Sequence, residues 1–284
     1  MGYSPSFPNW MPFYDDEEFE QLNSILERHF GWRVPEERYD EIAEKLSGRL
    51  RQNRVRRIAD YCALLQYRFS SEAPALAMLF ERSSTTFLAG GIQHEALLEE
   101  MGNGWPGHSG PVRVLVAGSG SGEEVYSLAF LAGERRWRLQ LPPLWMEGMD
   151  LCHGQVARSL VGAYKEESLA LVSPPERERL FICDDLHDFI VRDEFRAGIY
   201  FRQANILDHR SYGAPHRYDV VYCRDVLSHF GDVGRRHAFE NFATALREGG
   251  YLILGENEKL TPSGDAFRTV ERSGVRFFQR TETP

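Results

Sequence analysis

The chain has 284 residues, 42% of them hydrophobic, enough for one large domain or two smaller ones with separate cores. Its 42 acidic side chains outnumber 33 basic ones, leaving a formal net charge of −9 that excludes broad, non-specific nucleic-acid binding. Four scattered cysteines, Cys62, Cys152, Cys183 and Cys223, form no CxxC pair, so reduced thiols in a cytoplasmic protein are expected rather than a disulfide frame or a metal site. No window approaches ~18 uncharged apolar residues, and neither a signal peptide nor a membrane span is expected.

The first part of the chain reads as helical. Phe19, Leu22, Leu26 and Phe30 make a helix-period stripe, opened by acids and stopped by Gly31. A second helix starts at Pro35 and repeats Tyr39, Ile42, Leu46 and Leu50. A third follows with Val55, Ile58, Cys62 and Leu65. "EAPALAMLFERSS" is a fourth candidate and "IQHEALLEEMG" a fifth. The glycine-rich stretch "GNGWPGHSG", from Gly102 to Gly110, is the best boundary.

Beyond it, short apolar runs alternate with helical stretches: "VRVLVAG" then "EEVYSLAFLAGERR", "WMEGMD" then "GQVARSLVGAYKEESL", "IYFRQAN", and "YDVVYCRD" then "GRRHAFENFATALREGG" and "YLILGEN". This alternation predicts a parallel sheet covered by helices on both faces. The closing "FRTVERSGVRFFQRT" holds two strand-like runs around Ser273-Gly274, a hairpin signal.

The turn Gly118-Ser119-Gly120-Ser121-Gly122 follows the first strand, which ends at Ala117, and opens directly into Glu123-Glu124. Without Cβ atoms the chain turns tightly and a ligand can approach the backbone. Acids at the start of the helix fill the place that favours anions, so a diphosphate is disfavoured and an ammonium group is welcome. That argues against NAD or ATP and for a ligand with an amino-acid end, such as S-adenosylmethionine. Asp150 ends the second strand, where a carboxylate can accept ribose hydroxyls, although the gap from loop to acid exceeds the usual ~20 residues. Asn205 and Arg224 stand at the ends of the next two strands. Ligands in open α/β sheets bind at those ends, so Gly118, Asp150, Asn205 and Arg224 are expected to converge.

These residues resemble a known family. "RVLVAGSGSGEEVYSLAFL", "GMD", "GAY", "FRQANILD", "YDVVYCRDVLSHF" and "ALREGGYLILGENEKL" are similar to the CheR-type chemoreceptor glutamate methyltransferases of bacterial chemotaxis, from about Phe19 to Gln279. The resemblance implies an α/β protein: an N-terminal helical domain over 1–82, a linker over 83–110, and a Rossmann-like, S-adenosylmethionine-binding methyltransferase domain over 111–284. A small antiparallel β-subdomain is implied as an insertion at about 170–198. It further implies that Ser83 and Thr85 touch the cofactor from the linker, that Ala117 and Gly118 line it, and that Glu124 takes the methionine amino group. Asp150 would take the ribose and Asn205 with Ile206 the adenine edge. Arg224 and Asp225 fall where the family has Arg-Asn near the methionine end. S-adenosylhomocysteine would be the product.

Three positions depart from the family. Its linker reads Thr-x-Phe-Phe-Arg, whereas this chain has Thr85-Thr86-Phe87-Leu88-Ala89, so an arginine is replaced by Ala89. Asp225 replaces an Asn, and His229 replaces a Tyr. Arg224, Asp225 and His229 are the candidate catalytic residues. The leading expectation is a protein-glutamate O-methyltransferase acting on receptors; a different acceptor, or a catalytically silent cofactor-binding signalling module, is the alternative.

The resemblance also implies docking on the cytoplasmic domain of a chemoreceptor through a basic helical face formed by Arg38, Lys45, Arg49 and Arg56. Some family members tether a receptor pentapeptide through a glycine-containing loop of the β-subdomain. The corresponding "LFICDDLHDFIVRDEF" holds no glycine, so no such tether is expected. A monomer is expected, with no metal and no nucleic-acid partner.

Overall fold

The structure, a computed structural model, describes residues 12–79, 85–103, 110–186, 188–256, 258 and 266–281. The chain divides into two compact units, Met1–Phe80 with His229–Gly234, and Glu81–Ser228 with Arg235–Pro284.

The first unit is helical. α1 (Asp16–Phe30) begins where the Asp15 carboxylate accepts the Glu18 N–H at 2.9 Å and ends at left-handed Gly31. Its predicted stripe, Phe19, Leu22, Leu26 and Phe30, is buried. α2 (Tyr39–Gln52) buries Tyr39, Ile42, Leu46 and Leu50 in the same way. α3 (Ile58–Leu79) holds the third and fourth predicted helices as two helical runs that meet at a kink at Arg68 (φ −120°, ψ 16°), with Pro74 inside the second. Segment 229–234 joins these helices through backbone pairing: Arg33 N–H donates to the His229 carbonyl at 2.9 Å and Gly231 N–H to the Gly31 carbonyl at 2.9 Å.

The second unit opens with α4 (Gly91–Gly102) and continues as the expected strand–helix alternation. β1 (Val112–Ala117), α5 (Glu123–Leu139), β2 (Leu144–Asp150) and α6 (His153–Val161) follow in turn. A small sheet is built from β3 (Ala163–Tyr164), β4 (Phe181–Cys183) and β5 (Phe189–Val191), with α7 (Pro174–Leu180) between its first two strands. β6 (Ile199–Gln203), β7 (Tyr218–Cys223), α8 (Asp232–Ala245), β8 (Leu246–Leu254), β9 (Phe267–Arg272) and β10 (Val275–Arg280) complete the chain.

The seven-stranded sheet has the order β6-β2-β1-β7-β8-β10-β9. The first five strands pair in parallel and β10 pairs antiparallel with both neighbours. The order of the strands along the chain reverses at β1, with β2 and β6 on one side and β7 and β8 on the other, which makes β1 and β7 the switch point where an open α/β sheet forms its ligand crevice. One face of the sheet packs Val112, Val114, Val116, Met146, Val220 and Tyr222 against Leu97, Leu98, Val125 and Leu128 of α4 and α5. Each such fully buried aliphatic side chain contributes roughly 1.5–3 kcal/mol. The hairpin at Ser273-Gly274 forms as predicted, both residues at positive φ (47° and 76°).

Three local expectations shift. The helix expected across 154–169 stops at Val161, because Gly162 turns left-handed and the next two residues pair with β5. The small antiparallel sheet thus takes in Ala163–Tyr164, ahead of the expected start at Ala170. The helix expected through Gly250 stops at Ala245, and the strand begins at Leu246 with an irregularity in its pairing before Tyr251. The expected boundary at 102–110 lies mostly outside the described residues.

Candidate functional site

The glycine turn sits at the carboxyl end of β1, after buried Ala117. Gly118, Gly120 and Gly122 all have positive φ (73°, 55° and 98°), which side chains rarely adopt. The turn is stitched to β2: Gly118 and Ser119 donate to the Met149 carbonyl at 2.8 and 3.0 Å, and Gly120 N–H donates to Asp150 Oδ2 at 2.9 Å. The other Asp150 oxygen accepts the Cys152 N–H at 2.8 Å. Asp150 thereby stands at the lip of the turn, its carboxylate joined to the backbone on both sides. A Cβ on Gly118 would strike Val226 Cγ2 at 2.5 Å, whereas one on Gly120 would meet nothing nearer than Thr85, 3.7 Å away. The Thr85 hydroxyl there is buried and has no hydrogen-bond partner among the described residues.

The two acids after the turn face different partners. Glu123 is 2% exposed and turns to Ser121, whose hydroxyl donates to it at 2.8 Å. Its carboxylate is held by hydroxyls and is not presented to an ammonium group. Glu124 instead meets Arg224, whose Nη1 donates to both carboxylate oxygens at 3.0 and 3.1 Å. His94 Nε2 lies 2.6 Å from Glu124 Oε1. Burial by itself would push the Glu124 carboxyl up; His94 and Arg224 outweigh it and hold it below the ordinary carboxylate range. The resulting pair, one carboxylate beside one guanidinium, is complementary to the ammonium and carboxylate of an amino acid.

Arg224 follows β7 directly. Asp225 adopts a left-handed conformation (φ 57°) and is about half exposed. Asn and Asp tolerate that conformation better than other side chains, which accounts physically for Asp at this position. Sequence reasoning missed the group that shapes this bend. Glu258, 9% exposed, accepts the backbone N–H groups of Asp225, Ser228 and Gly255, each at 2.9 Å. It also missed His94; neither residue belongs to a recognisable local motif.

Asn205 lies two residues beyond β6, whose chain is hooked to the site by the Ala204 N–H donating to the Asp150 carbonyl at 2.9 Å. Its side-chain oxygen accepts the Leu207 N–H at 2.9 Å, a local turn. The Ile206 carbonyl accepts from Tyr212 and Asn241, and its side chain is buried. The chain from Thr85 to Gly90 is pinned by Phe87, fully buried among Tyr126, Phe130, Tyr164 and Phe181, and by the Leu88 N–H donating to Ser127 Oγ at 2.8 Å. Ala89 is exposed between them. Ser83 lies outside the described residues. His229 belongs to the first unit, where it is exposed.

The basic helical face of the first unit is largely neutralised within that unit. Arg38 and Lys45 share Glu41 at 2.8 and 2.6 Å, Arg38 first among the causes that hold its carboxyl down at about 2. Arg49 forks onto buried Glu72 with two bonds of 2.6 Å. Arg56 lies over the Phe13 ring at 5.7 Å. Among the described residues no helix is long and apolar enough to cross a membrane.

Residues 83–275 match the family described as the CheR methyltransferase, SAM-binding domain. The chain is 32% identical over 164 residues to the chemotaxis protein methyltransferase of Vibrio parahaemolyticus, a match covering 56% of this chain and 58% of that protein. It is 26% identical over 273 residues to chemotaxis protein methyltransferase 2 of Pseudomonas aeruginosa, covering 94% and 95%. It is 25% identical over 254 residues to the chemotaxis protein methyltransferase of Klebsiella aerogenes, covering 87% and 84%. With the glycine turn, the switch-point strands and a matching stretch that exceeds half its length, the chain belongs to the CheR methyltransferase family.

Proposed function

We propose that the chain transfers a methyl group from S-adenosylmethionine to glutamate side chains of a chemotaxis receptor or a related signalling protein in the cytoplasm. The Glu124–Arg224 pair beside the glycine turn carries this reading, because it matches a zwitterionic amino-acid end and suits neither a diphosphate nor a metal. The cradle over Gly120 and the unpartnered Thr85 hydroxyl supply space and a hydrogen-bonding group for the nucleoside. In this assignment Glu124 binds the ammonium, Arg224 the methionine carboxylate and Asp150 the ribose. Asn205 and Ile206 flank the adenine, and Thr85 with Ser83 closes the linker side.

The sulfonium supplies an electrophilic methyl group when bound. A glutamate acceptor has an ordinary pKa near 4.3 and is ionised at neutral pH, so the chain needs no general base. Its residues orient the two partners and exclude water. We assign Arg224, Asp225 and His229 to the acceptor side, residues 1–82 to receptor docking, 83–110 to the linker and 111–284 to cofactor binding. Arg38, Lys45, Arg49 and Arg56 are the docking candidates. No pentapeptide tether is proposed: the loop between β4 and β5 is closed by the Asp184 carboxylate, which accepts the Leu186 and Asp188 N–H groups at 2.9 and 2.8 Å.

A second reading, a silent cofactor-binding module, is favoured by one observation. Ala89 is exposed and offers no guanidinium for the acceptor carboxylate, while Asp225 adds a negative charge. Incubation with methyl-labelled cofactor and receptor cytoplasmic fragments separates the two. Base-labile label on the receptor is the expected result. Tight cofactor binding without label on any receptor fragment would leave only the second reading.

A further inference from the structure

We infer that His94 is a positioning residue for the cofactor's amino group, acting through Glu124. The inference rests on the assignment of Glu124 to that amino group. His94 lies on the first turn of α4 and is 1% exposed. Its Nε2 is 2.6 Å from Glu124 Oε1, and its ring stacks on Tyr222 with centroids 5.3 Å apart and planes 22° apart. Three elements therefore meet at one carboxylate: α4 through His94, α5 through Glu124, and the end of β7 through Arg224.

Gly90 makes the meeting possible. A Cβ at Gly90 would lie 2.5 Å from Arg224 Nη1, 2.8 Å from Glu124 Oε1 and 2.8 Å from His94 Cε1. Any side chain there would drive the three groups apart. The glycine before α4 is thus the space into which the cluster is packed, and the helix it precedes delivers the imidazole.

The electrostatic reason for a second partner is plain. Arg224 alone would pull the Glu124 carboxylate towards itself and leave its orientation to one fork. His94 Nε2 lies 2.6 Å from Oε1 at ion-pair distance and comes from another element, so the carboxylate is flanked on a second side. A carboxylate held in this way presents its remaining lone pairs in one direction, which is what selective binding of a small ammonium group requires. Ring stacking on Tyr222 keeps the imidazole from rotating away.

The test compares two ligands by calorimetry on the full chain: S-adenosylhomocysteine, which carries the amino-acid end, and 5′-methylthioadenosine, which lacks it. His94→Phe keeps the ring and its stacking but removes the nitrogen. We expect it to weaken S-adenosylhomocysteine about tenfold or more while 5′-methylthioadenosine changes less than about twofold, and we expect His94→Gln, which restores a donor, to recover part of the loss. Should His94→Phe fail to fold by circular dichroism, His94→Met carries the same comparison. Equal weakening of both ligands, or none of either, overturns the inference. Wild-type protein that binds the two ligands equally overturns the assignment of Glu124 itself, and wild-type protein that binds neither overturns the proposed function.

Discussion

Glu258 accepts the backbone N–H groups of Asp225 and Ser228, each at 2.9 Å, from 33 and 30 residues further along the chain. One buried carboxylate thereby sets the bend that follows Arg224. Replacing it by Gln turns one acceptor into a donor facing an N–H group, and a lost charged hydrogen bond costs roughly 2 kcal/mol. Glu258→Gln is expected to lower the melting temperature by about 4–8 °C and methyl transfer by about tenfold. A thermal melt and a labelling assay measure both; unchanged values would mean that the bend holds without the clamp.

Arg49 and Glu72 give a prediction with a pH dependence. Burial alone would raise the Glu72 carboxyl, but Arg49, Tyr61 and Asn53 reverse this and hold it below its ordinary value. A carboxyl depressed in the folded state stabilises the fold above the unfolded pKa and loses that contribution as pH falls through the folded one. Melting temperature is therefore expected to drop between pH 6 and pH 3, and Glu72→Gln should show a shallower drop. Arg49→Glu leaves a buried carboxylate facing another and is expected to cost roughly 3 kcal/mol or more. Loss of receptor binding in that variant would first have to be read against unfolding, so Lys45→Glu, on the exposed side of the same face, is the sounder test of docking.

Gly118 and Gly120 separate a packing role from a ligand role. Gly118→Ala meets Val226 at 2.5 Å and should destabilise the fold by roughly 1–3 kcal/mol. Gly120→Ala meets only Thr85, at an ordinary contact distance of 3.7 Å, and should cost only about 1 kcal/mol, the price of the left-handed backbone. It should nonetheless weaken S-adenosylhomocysteine by about tenfold or more, because the methyl group occupies the cradle. Wild-type affinity in a folded Gly120→Ala protein would remove the cradle from the site.

Ala89→Arg combined with Asp225→Asn restores the side chains the family carries. Ala89 is exposed and Asn suits a φ of 57°, so both changes fit without repacking. Receptor methylation is expected to rise by about tenfold, since the added guanidinium can hold the acceptor carboxylate. No gain at equal cofactor affinity would assign the slow step elsewhere.

Much of the architecture follows from short-range rules. The strand–helix alternation, the glycine turn, the stripes of α1 and α2 and the Ser273-Gly274 hairpin each depend on residues within a few positions of one another. The places of Glu124 and Asp150 in the fold follow for the same reason: one lies in the first turn of a helix and the other closes a strand. What neighbouring residues could not reveal were the long-range meetings. His94 reaches Glu124 from a different helix, Glu258 reaches back to Asp225, and Arg49 pairs with Glu72 of another helix. Those contacts depend on how packed elements are aligned in three dimensions, and only the burial of their apolar faces decides that alignment. Period and turn chemistry specified the elements of this protein; the tertiary structure alone decided which polar side chains they bring face to face, because a charge finds its partner across space and not along the chain.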